Sequence, residues 1–403
     1  MAATRYGRVL ANPHTRLLLL LGFAVRVPMF GVAVILTLHV VETLHRTWSA
    51  AGLVAAVSTL AVAVSGPWRG KLLDRLGLRR VVGLSIVLTA LCWTIAPFVG
   101  YVPLLMLAGV AGLFAVPVFT IVRQGVIAAT SDEDRRTALA VDGIVVEFAF
   151  MVGPILAIAL ATAFDTRWVI FGLEMVSAAA SCLLWLADPP IRSAIAEEDA
   201  TDAVLPRRAW LTPRFLVVCF VAFAAVLVLS GSDVSFVAAA KHFSQPEHLG
   251  LVLAASGLGS VIGGLTYGAL PKAPPLFFLL FALAAATVPI GLASSMLTLA
   301  LGAFLAGMFC APTMTASVDA VARVVPERVR GEAMGWHGSF LTTGGALGGP
   351  IAGWAIDRHG FAGGFAAVGG LGALICVAGV LIVSGRRAQR SRSARRASAW
   401  VGE

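Results

Sequence analysis

Apolar runs of roughly 20 residues recur along almost the whole chain, and that recurrence limits the possible folds more than any motif does. A helix of this length crosses about 30 Å of hydrocarbon at about 1.5 Å per residue. Within the bilayer core every backbone N–H and C=O has to be bonded inside the protein, which leaves helices or a closed barrel. The runs are continuously apolar with no period of two, so the expected fold is an all-α polytopic membrane protein. Composition agrees: of 403 residues 59% are hydrophobic and 13% charged, with a mean hydropathy of +0.90.

The runs predict twelve transmembrane helices, at about 17–42, 48–69, 81–99, 102–129, 138–162, 167–187, 213–240, 248–269, 276–295, 297–322, 332–356 and 361–384. The first is too long for the core of a signal peptide and is read as a crossing. Gly, Pro and charge clusters separate the runs. The longest break, from Asp188 to Pro213, carries Pro189, Pro190, Glu197, Glu198, Asp199, Asp202, Arg207 and Arg208. It divides the chain into a six-helix bundle over 1–187, a polar linker over 188–212, a second six-helix bundle over 213–385 and an irregular basic tail over 386–403.

The net charge of +9 raises the question of a nucleic-acid partner, and the distribution of charge answers it. Of 30 Lys and Arg, 24 fall on the side that would hold both termini, 4 on the other, and Arg26 and Arg123 lie within spans. That asymmetry places both termini in the cytoplasm of a protein of the inner cell membrane, and accounts for the basic charge without nucleic acid. Cys92, Cys182, Cys219, Cys310 and Cys376 all sit in apolar runs with no CxxC spacing and no Cys/His cluster, so no metal site or disulfide framework is expected. No GxxxxGKS, HExxH or GxSxG motif occurs, so the chain is read as neither an ATP-driven pump nor an enzyme.

Two landmarks repeat at nearly one offset. Gly153-Pro154-Ile155 recurs as Gly349-Pro350-Ile351, 196 residues later, and Gly70 has a counterpart in Gly268, 198 residues later. A tandem duplication of one six-helix unit follows, with the halves related by an axis along the membrane normal. Between the second and third runs stands Gly66-Pro-Trp-Arg-Gly-Lys-Leu-Leu-Asp-Arg-Leu-Gly-Leu-Arg-Arg80, the densest charged stretch of the first 130 residues. Gly70 and Gly77 permit a tight turn and close approach of helix ends. The Asp74 carboxylate can pair with an Arg or with the N-terminus of a neighbouring helix.

Gly70, Asp74, Arg75, Gly77, Arg79 and Arg80 stand at the positions of the signature that members of the major facilitator superfamily carry between helices two and three. With twelve spans, a central linker and the internal repeat, the resemblance covers the chain except its tail. Arg123-Gln124-Gly125 matches the family's helix-four pattern in part, with compressed spacing. Gly153-Pro154 resembles the antiporter signature of drug exporters, although Ala157 and Ile158 replace later glycines. The resemblance implies that the Gly70–Arg80 stretch latches the cytoplasmic side shut, and that helices one, four, seven and ten line a central cavity.

Ionisable groups inside spans are costly, at least about 2.5 kcal/mol each at the bilayer centre, and so face a cavity or a partner. Arg26, Arg123, Glu147 and Asp233 are the deep ones and are assigned to the substrate cavity and proton coupling, with Glu147 expected to pair with Arg123. Asp142 and Asp319 lie nearer the cytoplasmic ends and are expected to be solvated; Glu174 is expected at the outer interface. Gly153, Pro154, Gly349 and Pro350 are read as gating positions. Trp336, His337 and Phe340 are candidate contacts for a substrate.

The sequence thus reads as a secondary active transporter that exports a small lipophilic or amphipathic molecule by proton-coupled alternating access, acting as a monomer among membrane lipids, with the proton gradient as energy source and no cofactor. Uptake or facilitated diffusion of a polar metabolite such as a sugar is the alternative, disfavoured by the few Asn and Gln in the spans. A non-transporting receptor on the same fold is the second alternative.

Overall fold

Proline and a capping side chain start the first span of each half. Asn12 accepts from the backbone N–H of His14 at 3.0 Å ahead of Pro13, and Thr212 accepts from that of Phe215 at 3.3 Å ahead of Pro213. Each pairs an N-cap side chain with the one residue whose missing N–H costs nothing at a helix start. The structure, a computed structural model, describes residues 2–189, 205–245 and 248–400; most of these are helical, and no strand occurs among them.

Nine helical stretches among the described residues are long and apolar enough to cross a membrane. Two of them, Ala50–Phe98 and Glu327–Ile382, have 49 and 56 residues, enough for two crossings each. Each breaks at a glycine in the left-handed region, Gly77 with φ 75° and Gly360 with φ 66°, where a side chain would be strained. With the shorter apolar helix Leu276–Leu292, these stretches accommodate the twelve expected crossings. They are numbered here as spans one (Pro13–Thr43), two (48–76), three (78–95), four (Tyr101–Ala128), five (Arg135–Ala163), six (Thr166–Ala187), seven (Pro213–His242), eight (Leu249–Ala269), nine (Leu276–Leu292), ten (Met296–Val324), eleven (330–359) and twelve (361–382).

Several boundaries differ from those read in the sequence. The Gly66–Arg80 stretch is not an extended loop: Lys71, Leu72, Leu73, Arg75 and Leu76 are strong helix formers that continue span two, and the turn contracts to Gly77. Span four is interrupted over 114–117 and span ten at Met308–Phe309, equivalent places in the two halves, each followed by a short helix leading to the basic end. An additional helix, Ala2–Ala11, precedes span one. The backbone remains helical through Trp400, in keeping with the Arg and Ala content of a segment expected to be irregular. In the linker, Arg207–Trp210 forms one helical turn whose Trp210 is buried against Phe215; Glu197, Glu198, Asp199 and Asp202 lie outside the described residues.

Glycine sets the closest crossings within each half. A methyl group on Gly153 would stand 2.5 Å from the Val27 carbonyl oxygen and 3.0 Å from the Gly31 nitrogen, so spans one and five touch backbone to backbone. The equivalent crossing of spans seven and eleven brings Gly348 against Leu227 and Gly231, and Gly344 against Phe223. Gly349 meets only the Val234 side chain, at 3.5 Å, so the close approach falls one residue earlier than the Gly-Pro repeat suggests. Hydrocarbon gives two helices little reason to associate, and small residues supply it by letting backbones pack. Gly153→Ala is therefore expected to lower the apparent thermal midpoint of the purified protein, by the equivalent of about 1–3 kcal/mol. Gly172→Ala in span six, where a methyl group meets nothing within 4 Å, should leave it unchanged or raise it. Equal effects at the two positions would contradict the crossing.

Candidate functional site

At the end of the bundle that carries the basic residues, the two halves are clasped together. Span two presents Gly66 and Gly70, span eleven presents Gly331 and Gly335, and the two pairs meet in antiparallel order. A methyl group on Gly66 would stand 2.9 Å from the Gly335 carbonyl oxygen, while one on Gly70 would collide with Gly331. Four residues separate the glycines of each pair, one turn on one face of a helix, which allows this approach. The approach delivers Asp74 to the first turn of span eleven. Its Oδ1 accepts from the Gly331 N–H at 2.9 Å and its Oδ2 from the Glu332 N–H at 2.8 Å. These donors have no partner within their own helix, and a carboxylate there also meets the positive end of the helix dipole. Ser339 donates to the Ala63 carbonyl one turn deeper, and Arg207 of the linker pairs with Glu332 at 2.7 Å.

A second clasp joins spans five and eight with the opposite helix end. Here the acceptors are carbonyls around the C-terminus of span eight: Thr137 donates to Gly268 at 2.8 Å, Arg136 to Leu270, and Tyr6 to Leu265 at 2.6 Å. Burial raises the Tyr6 phenol above its ordinary value, partly offset by the Arg136 charge, and keeps it protonated as a donor. Gly268 therefore matches Gly70 in place, while the chemistry of the contact is inverted. Between the clasps, Arg135 pairs with Asp319 at 2.9 Å, and Arg323 with the other oxygen of Asp319 at 2.8 Å. Asp319 is buried at 6% exposure and joins the halves, where the sequence suggested a solvated carboxylate.

The rest of the signature divides. Arg79 pairs with Asp188 at 2.9 Å beyond span six, and Trp185 donates to the Arg79 carbonyl at 2.9 Å, so Arg79 braces the first half. Arg75 and Arg80 are exposed, and Gly77 serves the turn.

Deeper in the first half lies a group of charges that the sequence paired differently. Arg26 Nη1 donates to Asp142 Oδ1 at 2.7 Å, and Arg123 Nε stands 3.6 Å from Asp142 Oδ2. Both guanidinium groups lie over the Phe119 ring, at 4.7 Å and 5.4 Å from its centroid. Asp142 is thus the partner of Arg123, contrary to the expectation of a solvated Asp142 and a Glu147–Arg123 pair. The two carboxylates are five residues apart, about 140° around the helix at about 3.6 residues per turn, so they face different neighbours. Glu147 instead accepts from Ser260 of span eight at 3.0 Å and Cys310 of span ten at 3.6 Å, both in the second half. Asp233 of span seven lies within electrostatic range of Glu147, and its side chain is exposed.

Span eleven brings the remaining candidates beside this region. His337 is buried at 1% exposure, with Nε2 3.0 Å from Ser317 Oγ, and within electrostatic range of Arg123. Trp336 and Phe340 are half-buried, pack on the same core as Phe119, and Phe340 meets Phe220 edge to face at 5.1 Å. Nothing in the sequence marks Phe119, Ser260 or Cys310 as members of the site, and Asp142 reads there as a solvated carboxylate; for the two acids of span five, angular separation on one helix is the available signal.

The fold and this arrangement define a transporter rather than an enzyme. The sequence profile described as Major Facilitator Superfamily matches residues 18–271 and 218–402, and the chain belongs to that superfamily. It is 29% identical over 333 residues to the multidrug efflux pump Tap of Mycolicibacterium fortuitum, an alignment covering 77% of this chain and 81% of Tap. Its fold is similar to that of a bacterial homologue of the iron transporter ferroportin in an outward-facing state (14% identity, TM-score 0.72, 92% of this chain and 99% of that one). The proton:xylose symporter XylE gives 11% identity, a TM-score of 0.70 and coverage of 90% and 94%.

Asp142→Ala would leave two guanidinium groups in apolar surroundings without their carboxylate. A loss equivalent to about 3–5 kcal/mol is expected from removing one partner of such a buried pair. Arg26→Met with Asp142→Leu, which removes a cation and the anion together, should cost less. Thermal unfolding of the two purified variants checks this, and a milder effect of Asp142→Ala would contradict the assignment.

Proposed function

We propose that this chain exports a small amphipathic or lipophilic molecule by alternating access of its two halves, driven by protons moving inward. The carrying observation is the position of Glu147: a carboxylate rooted in the first half and satisfied by hydroxyl and thiol donors of the second. A group in that position has to change partners whenever the halves separate. Binding a proton removes the charge that Ser260 and Cys310 satisfy, and a proton on Glu147 or Asp233 also removes the repulsion between them. Proton uptake therefore loosens the hold between the halves at mid-depth, while the clasps at the basic end set which side is shut.

The positive-inside rule makes the basic end cytoplasmic, with both termini on that side of the inner cell membrane. On this reading the structure has its cytoplasmic side closed, with Asp74 as the latch. Gly153, Pro154, Gly348 and Pro350 lie in helices that carry the closest crossings and would bend or pivot during the change. Export agrees with the likeness to a pump named for multidrug efflux, and an apolar substrate agrees with the aromatic surfaces of Phe119, Trp336 and Phe340.

Flux through the purified protein in liposomes tests the proposal. With an imposed proton gradient, Glu147→Gln should lose concentrative transport of a dye or drug that the unmodified protein moves, yet retain exchange of that compound down its own gradient. Undiminished concentrative transport by Glu147→Gln would remove Glu147 from the coupling role.

A further inference from the structure

We infer that Arg123, backed by Arg26 and Asp142, forms a binding site for the anionic group of an amphipathic organic acid whose apolar body lies against Phe119 and Trp336. This inference rests on the transporter reading and specifies the substrate's charge. Among the described residues, Asp142 is the ion-pair partner of both Arg26 and Arg123, and each of its oxygens is committed to one of them. Two cations thus share one anion, leaving a net positive charge in a membrane-spanning region, where water is scarce and an unbalanced charge is costly. Glu147 does not balance it, because its described hydrogen bonds go to the second half.

The two guanidinium groups differ in access. Arg26 is fully buried and Asp142 is 2% exposed at its side chain, whereas Arg123 is 14% exposed. Arg26 and Asp142 therefore act as the fixed back of the site, and Arg123 offers the reachable donors. Nε and Nη2 of Arg26 and Nε1 of Trp336 are three donors buried without a hydrogen-bond partner, against one orphan acceptor, Oε1 of Gln124, and one ring nitrogen whose role follows its tautomer, Nδ1 of His337. Excess donors and excess positive charge both call for an acceptor-rich anion. A guanidinium fork matches a carboxylate or sulfonate, and the Phe119 ring beside it, with Trp336 packed on the same core, matches an apolar body.

Three compounds with one bicyclic skeleton and different head groups test this: 2-naphthoate, 2-naphthylmethanol and 2-naphthylmethylammonium. Calorimetric titration into the purified protein, corrected for empty micelles, should give 2-naphthoate the tightest binding, at least about tenfold over the alcohol. Arg123→Gln should abolish that preference by weakening naphthoate more than the alcohol, and Arg123→Lys should restore part of it. Tightest binding of the ammonium compound, or an undiminished naphthoate preference in Arg123→Gln, would overturn the inference. Should Arg123→Gln fail to fold, the order of the three compounds on the unmodified protein decides the matter. Flux of the same compounds into liposomes separates this inference from the broader one. Binding of naphthoate with no flux of any compound would sink transport and leave the anion site, whereas flux of the alcohol or ammonium without naphthoate would sink the anion site and leave transport.

Discussion

Two halves of a protein surrounded by hydrocarbon gain little from hiding apolar surface from each other, so what holds them together has to be close backbone packing or polar contact. Both are present where Gly66 and Gly70 meet Gly331 and Gly335. The glycines remove the side chains that would keep the helices apart, and Asp74 then reaches two N–H groups that have no intrahelical partner. Each part needs the other: without the close crossing the carboxylate would fall short, and without the carboxylate the start of span eleven would be left with unsatisfied donors. The close crossing and the two charge-assisted hydrogen bonds thus form one contact between the halves at this end.

The second clasp shows the same logic with its polarity reversed. Span eight ends where span eleven begins, so carbonyls take the place of amides, and Thr137, Arg136 and Tyr6 take the place of Asp74. The two clasps are thus chemically distinct. Deeper than the clasps, span five carries both charge systems. Asp142 turns inward to bind two guanidinium groups within its own half, and Glu147 turns across to the other half. One helix therefore carries both the carboxylate that serves the ion cluster of the first half and the acid bonded to the second.

Much of this was legible in the sequence for simple reasons. Spans follow from the thickness of hydrocarbon, and the contact at Asp74 from a carboxylate set beside glycines that allow close approach. Other features depend on which way a helix is rotated, and a list of residues does not contain that angle. The adjacency of spans four and five in sequence suggests a Glu147–Arg123 pair, whereas the rotation of span five presents Asp142 to Arg123. Asp319 was read as solvated from its depth, but it is covered by Arg135 of the opposite half. The second clasp escaped notice because carbonyl acceptors belong to the backbone and leave no mark in the side-chain pattern. Trp336, His337 and Phe340 were recognised as a group, whereas their neighbour Phe119 matters only because two cations converge on it.

The central claim is that the clasp at the basic end opens and closes in a working cycle. The most direct measurement is the distribution of distances between spin labels at Arg75 and Lys272, exposed positions at the basic ends of span two and span eight. In the unmodified protein at high pH, one short distance should dominate. Lowering the pH, or replacing Asp74 by Asn, should raise a second and longer population at the expense of the first. A single unchanging distance under all three conditions would contradict the account.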